Sequence, residues 1–305
     1  MRIRVLGSAA GGGFPQWNCN CRNCDGLRKG KLRAAARTQS SIAVSATGQD
    51  WLLVNASPDI LKQIAQTPAL QPARAIRDSG IAAVLLMDAQ IDHVTGLLML
   101  RERQAPLPLL ATPEVLSDIS EGFPITRILS HYCQVAPTEL PIDGSTTSIA
   151  ELPGIQVQTV ALSSKPPPYS PFRGNPRPGD NIGLLLHNPD SGARAFYAPG
   201  LAALTPELLE IMAGCSVVLV DGTFWTHDEM QREGLSKKSA LDMGHLPQSG
   251  PGGMIEQLDR LPKGVRKILI HINNTNPMLV DDSPERALLT AHGIEVAFDG
   301  MDIAF

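Results

Sequence analysis

The chain has 305 residues, a formal net charge of −4 with histidine neutral, and 43% hydrophobic against 18% charged residues. That length and apolar share suffice for a sizeable core and exclude a disordered or fibrous chain, while 27 glycines and 25 prolines predict long loops. No domain-wide basic face points to nucleic acid, and the short cluster at 28–37 (RKGKLRAAAR) reads as a solvated loop face.

In chain order, β-type runs fall at 3–6, 40–46, 51–56 and 81–87, then at 154–162, 182–188 and 193–199, and finally at 216–222, 267–272 and 294–300. Between them lie helical patterns at 57–66, 93–103, 112–122, 205–214, 249–261 and 283–292. Ser57, Thr112, Thr205 and Ser283 each precede a proline, which predicts an N-cap followed by proline at the first helical position. Strands interleaved with helices, without an internal repeat or a clean linker, predict one layered α/β domain over 1–305. No apolar run nears the ~18 residues of a membrane span, and the N-terminus lacks a signal-peptide core. The expected location is cytoplasmic.

Two long stretches fall outside these runs. The first, 7–39, holds GSAAGGG, which lacks the Lys-Ser/Thr ending of a phosphate loop and reads as backbone room beside a pocket. It also holds WNCNCRNC (17–24), with Cys19, Cys21 and Cys24 crowded together. Five cysteines in all, an odd number, with three too close for ordinary pairing, suit a reducing compartment. The C-x-C-x-x-C spacing wraps three soft donors around one ion, so a structural zinc with a closed tetrahedral shell is expected. No nearby Cys or His supplies the fourth donor. Cys133 and Cys215 stand alone and read as packed side chains. The second stretch, 163–181 (SSKPPPYSPFRGNPRPGDN), is proline-rich and reads either as a lid over a site or as a surface excursion.

Three apolar runs end on metal-ligating residue types. The run at 81–87 leads into DAQIDHVTG (88–96), that at 216–220 into Asp221, and that at 267–270 into His271. Polar residues beyond the carboxyl ends of buried strands are where α/β folds collect ligands. Asp92, His93, Asp221 and His271, brought together, would make a competent divalent-metal site.

LLMDAQIDHVTGL resembles the HxHxDHxxG loop of the metallo-β-lactamase superfamily, with Asp88 and Gln90 where its first two histidines belong. VDGTF resembles the bridging-aspartate segment, and LIHI the final histidine strand. With GSAAGGGFPQWNCNCRNC and MGHLPQSG, the chain resembles end to end the B family of pyrroloquinoline quinone (PQQ) biosynthesis within that superfamily. The resemblance implies an α/β fold, the αββα sandwich of two mixed sheets flanked by helices. It also gives meaning to the departures. Asp88, Gln90 and Ser163 stand where a dinuclear hydrolase would carry imidazoles, and their oxygens replace those nitrogens poorly around zinc. One catalytic divalent metal with open positions is therefore expected, held by His93, His271, Asp92 and Asp221.

The family resemblance further implies an iron(II) centre that hydroxylates the tyrosine-derived part of the PQQ precursor with dioxygen. His245 is then the candidate proton-transferring or substrate-orienting group, and Asp88 and Gln90 bond substrate or fix the ligand histidines. Relatives in the phosphodiesterase branch place a histidine where this chain has Asn274, making Asn274 the candidate fourth ligand of the cysteine site. Water, His292 and His131 remain alternatives. A second reading is a non-catalytic carrier that binds PQQ or its precursor and assists its transport to the periplasm. Lys165, Arg173 and Arg177 would then pair with ligand carboxylates, with Ser163 beside them in the substrate-binding set. The sequence leaves the oligomeric state open, a homo-oligomer included.

Overall fold

Apolar runs long enough to fill a buried strand account for most of the fourteen strands in the computed structural model, which describes all 305 residues. In chain order they are β1 (Arg2–Gly7), β2 (Ser41–Ser45), β3 (Trp51–Val54), β4 (Ile81–Leu85), β5 (Leu107–Ala111), β6 (Val135–Glu139) and β7 (Thr146–Ser148). Then follow β8 (Gln156–Ala161), β9 (Ile182–His187), β10 (Arg194–Ala198), β11 (Val217–Asp221), β12 (Arg266–Ile270), β13 (Ile294–Val296) and β14 (Asp302–Ala304). The chain divides into two compact units, each assembled from separate segments. The first comprises residues 1–7, 40–193 and 300–305, and the second comprises 8–39 and 194–299.

The first unit holds a mixed seven-stranded sheet in the order β14-β1-β2-β3-β4-β5-β6, antiparallel as far as β3 and parallel beyond it. A meander, β7-β8-β9, pairs antiparallel. Leu53, Val84, Leu86, Leu97, Leu109 and Ile119 are among the fully buried side chains of its core. The second unit runs β10-β11-β12-β13 as a parallel ladder, with Asp221 of β11 opposite Ile270 of β12. Val217–Val220 and Ile268–Ile270 are buried throughout, the unbroken apolar pattern of parallel strands covered on both faces.

Three of the four predicted N-caps form: Thr112, Thr205 and Ser283 accept from the backbone N–H three residues on. Ser57 does not; its hydroxyl bonds Gln63, and the helix Ile60–Ala65 has Asp59 in its N-cap position. The helix expected at 93–103 is instead one α-turn, Ile91–Val94, followed by a 3-10 segment, Thr95–Leu100. Gly96 causes the break, since its N–H bonds Ala56 O at 2.9 Å and a β-carbon there would lie 2.2 Å from Ser57 O. The pattern at 112–122 likewise changes after Ser117 into a π-turn, and that at 249–261 shortens to Met254–Leu258. Within 7–39 a helix, Arg22–Arg28, carries Cys24. β5, β6, β7 and β14 escape the apolar pattern: β5 is broken by Pro108, and β6 is an exposed edge strand containing Pro137. No helix is long and apolar enough to cross a membrane.

Candidate metal centres

The second unit builds its first centre at the carboxyl ends of β11 and β12. Parallel pairing puts Asp221 and His271 side by side, and a close approach holds them there: Gly222 N donates to Ile270 O at 2.6 Å. A β-carbon on Gly222 would meet that same oxygen at 2.9 Å, so the position requires glycine. His271 adopts φ +61°, a left-handed conformation that non-glycine residues seldom take.

Asp221 is fully buried and its carboxylate is surrounded by donors. Oδ2 accepts from Leu201 N at 2.8 Å and from His245 Nδ1 at 2.7 Å. Oδ1 accepts from Thr223 N at 2.9 Å and Thr223 Oγ1 at 2.6 Å. Thr223 Oγ1 also lies 2.9 Å from His271 Nδ1 and 3.1 Å from His245 Nδ1. The hydroxyl has one proton, and the charged carboxylate at 2.6 Å takes it, so Thr223 accepts from His271 Nδ1–H. Both imidazoles thus carry their proton on Nδ1 and present Nε2 as the basic nitrogen. Their rings stack at 5.5 Å and 21°, and Phe224 meets His245 edge-on at 5.7 Å. Ligand-type atoms of Asp221, His245 and His271 lie within 4.8 Å of one another.

In the first unit, β4 runs into Asp88, whose Oδ1 accepts from Gln90 N at 2.9 Å and thereby tightens the turn. Both Asp88 oxygens face His93 Nδ1, at 2.8 and 2.9 Å. His93 is buried; desolvation works against its protonated form, but Asp88, then Asp92, outweigh it and raise its pKa to about 9. Asp92 Oδ2 lies 3.8 Å from His93 Nε2. Gln90 supplies the carbonyl that accepts from His93 and Val94 N–H. Asp88, expected as a substrate or support residue, is thus a direct partner of the ligand-type histidine.

The second unit's other centre is the cysteine cluster. The sulfurs of Cys19, Cys21 and Cys24 lie within 4.8 Å of one another, and the Asn274 amide sits over all three, its Nδ2 at 3.1, 3.5 and 3.4 Å. A half-turn of that amide would present its oxygen to an ion in the same place. Burial pushes the Cys21 thiol up to about 12, aided by side-chain hydrogen bonding to the other two sulfurs and by charge on Cys24, so ionising Cys21 calls for a cation. The three sulfurs fit zinc. His292 instead bonds Asp259 at 2.6 Å, and His131 is exposed on the first unit. Asn23 Nδ2 donates to Asn274 O at 3.1 Å and Asn276 O at 2.9 Å, tying the cysteine helix to the segment that begins at His271.

The remaining expected residues line the first unit's proline-rich stretch. Ser163 and Lys165 are exposed. Arg177 is engaged, paired with Asp180 at 2.9 Å and 3.7 Å above the Phe172 ring, and Arg173 donates to Pro166 O. Tyr169 donates to Ala89 O, and Thr112 to Gly179 O at 2.7 Å, so the stretch is pinned along its length. The basic cluster at 28–37 is not wholly solvated either. Arg37 is buried, donating to Ser8 Oγ at 3.1 Å and to Ala297 O, and desolvation lowers its pKa to about 10. Cys133 and Cys215 are packed in the interior, as expected.

The chain matches the beta-lactamase superfamily domain model over residues 50–272. It is 65% identical over 302 residues to coenzyme PQQ synthesis protein B of Cupriavidus necator and 66% identical to that of Cupriavidus taiwanensis, covering 99% of each chain. The chain belongs to the coenzyme PQQ synthesis protein B family. Zn(2+)-bound PqqB from Methylobacterium extorquens, solved at 1.98 Å, is 38% identical with a TM-score of 0.90 over the full length of both chains. A diphosphatase of the PhnP family shares the fold alone, at 17% identity and a TM-score of 0.68. The metallo-β-lactamase fold expected from the sequence is thereby established. Thr223 and Asn23, by contrast, are members of these candidate centres that the sequence does not announce. Their only signals are a Thr two residues beyond a strand-end Asp and an Asn inside the cysteine loop.

Proposed function

We propose that this chain acts in PQQ biosynthesis as a single-domain, mononuclear, iron(II)-dependent hydroxylase of the tyrosine-derived part of the PQQ precursor. The observation that carries the reading is shared by three histidines. His93, His245 and His271 each direct Nδ1 at Asp88, at Asp221 and at Thr223 respectively, so Nε2 is the nitrogen offered outward. Imidazoles that ligate metals are oriented in this way. The proposed ligand set is the expected one, His93, His271, Asp92 and Asp221, of which Asp221 also serves as the acceptor that aims the imidazoles. An iron(II) ion in such a set supplies open positions for dioxygen and substrate. Asp88 and Gln90 leave no imidazole pair for a second ion, which argues against a two-metal hydrolase.

Within the second unit the side chains divide the remaining work. His245, with 17% of its side chain accessible, is the member of the Asp221 trio that a substrate phenol would meet. Asp221 keeps the His245 proton on Nδ1, so Nε2 accepts the phenolic proton and Asp221 balances the resulting imidazolium. Phe224 and the stacked His271 ring hold the imidazole plane in place.

Anaerobic loading with iron(II), then oxygen and a tyrosine-containing precursor peptide, tests the reading. Hydroxylated peptide with one iron per chain supports it. Tight PQQ binding without turnover would favour the carrier, a reading that the pinned Arg173 and Arg177 do not help.

A further inference from the structure

Four consecutive polar residues that follow His271 closely, Asn273, Asn274, Thr275 and Asn276, are all buried in the second unit. Buried amides and hydroxyls persist where they are bonded, and here the bonds run to both of the unit's centres. On one side the Asn274 amide covers the three sulfurs. On the other, Asn273 N donates to Thr223 O at 3.1 Å. Asn276 Nδ2 donates to Gly222 O at 3.0 Å and to Thr223 O at 3.2 Å. Gly222 and Thr223 are the residues that hold Asp221 and His271 in place, Gly222 through Ile270 O and Thr223 through its hydroxyl.

Asn276 is the junction. Its Oδ1 accepts from Met278 N at 3.0 Å, which fixes the amide with its nitrogen toward the two carbonyls. Its own carbonyl accepts from Asn23 Nδ2 at 2.9 Å, and Asn23 belongs to the cysteine helix, Arg22–Arg28. Glu229 adds a second tie between the same segments, accepting from Trp225 N at 2.6 Å and from Thr275 Oγ1. The cysteine helix has only seven residues, and Cys21 at its N-cap position makes no side-chain cap. A helix of that length has little stability of its own. A cation gathering Cys19, Cys21 and Cys24 fixes its first turn, and with it the Asn23 amide.

We propose that the two centres bind their ions cooperatively, and that Asn276 is the positioning residue through which an ion at the cysteines tightens the Asp221–His271 centre. The first ion meets the cost of ordering the helix and the loops joined to it, so the second meets less. By reciprocity, an ion at Asp221 and His271 tightens the cysteine centre by the same factor. Of the proposed function only the metal-binding role of Asp221 and His271 is required, and neither iron nor hydroxylation.

Manganese(II), which favours oxygen donors over thiolate, is the probe of the Asp221–His271 centre. It is titrated into the full-length chain with the cysteine centre empty, and again with one soft cadmium(II) bound there, free manganese being read by its electron paramagnetic resonance signal. Cadmium is expected to tighten manganese at least fivefold. Asn276→Ser should bring that ratio below twofold. Asn23→Ala should do the same, since it cuts the tie on the helix side and spares the bonds to Gly222 and Thr223. The ratio, unlike either affinity, does not move with a general loss of stability. Equal manganese affinity with and without cadmium overturns the coupling. Variants that weaken manganese by one factor in both states and keep the ratio make Asn276 a structural brace and overturn its role. Manganese that binds in neither state removes the metal centre at Asp221 and His271, and the coupling with it.

Discussion

Replacing Thr223 with valine keeps the shape of a side chain that is 2% exposed and deletes its hydroxyl. That oxygen serves Asp221 Oδ1 at 2.6 Å and His271 Nδ1 at 2.9 Å. A hydrogen bond to a charged group contributes about 1.5–3 kcal/mol, and a buried N–H left without an acceptor costs about 1–3 kcal/mol. The two overlap, because a valine variant can relax His271, so a net loss near 3 kcal/mol is expected. Removing such a support from a metal-ligating histidine weakens the ion by about 10–100-fold. Cobalt(II) titration separates the two centres, since only thiolate ligation gives an intense charge-transfer band. Thr223→Val should leave that band intact while the imidazole-site transitions saturate at higher cobalt, and denaturant unfolding should show the stability loss. Thr223→Ser should recover both. Wild-type cobalt affinity with an unfolding change under about 0.5 kcal/mol would refute the argued role of the hydroxyl.

Cys24→Ala should remove one zinc per chain, by elemental analysis, and lower Tm by roughly 4 °C. Because Asn23 ties the cysteine helix to 274–276, it should also weaken cobalt at the imidazoles; indifference there would show the two centres to be uncoupled. Gly96→Ala must push a methyl against Ser57 O and should cost about 3 kcal/mol by chemical denaturation. Glu229 is buried, and desolvation lifts its carboxyl from 4.5 to about 7, against bonds from Thr275 and Trp225 N that favour the anion. The folded chain then holds this proton where the unfolded chain has lost it, so stability falls by about 2–3 kcal/mol between pH 4.5 and 7 and is level above. Glu229→Gln should flatten that decline in a pH series of melting curves.

The sequence displayed the ligand-type residues because an apolar run that stops on Asp or His marks a strand end, as at 81–88, 216–221 and 267–271. It hid what supports them. Thr223 looks like any turn residue until parallel pairing sets it between two imidazoles. Helices fall short of their sequence pattern where tertiary contact overrides period: Gly96 packs on Ala56 and Ser57, and the α-helical pattern gives way there to a 3-10 turn. The proline-rich stretch leaves a lid and a surface excursion equally open in the sequence, because its composition shows neither that its own Asp180 is buried against Arg177 nor that the distant Asp118 receives Ser170. Asn274 was legible only through the family resemblance; its place over three sulfurs comes from the register of the loops that meet there.

The left-handed backbone at His271 gives one residue two opposed duties. A side chain with a β-carbon is disfavoured in that conformation by about 1 kcal/mol, whereas glycine adopts it without penalty. Exchanging His271 for glycine would therefore let the main chain rest while abolishing a nitrogen donor, and exchanging it for alanine would forfeit the donor and keep the strain. Ordered by how tightly they fold, the two replacements should separate; ordered by how they hold an ion, they should be indistinguishable.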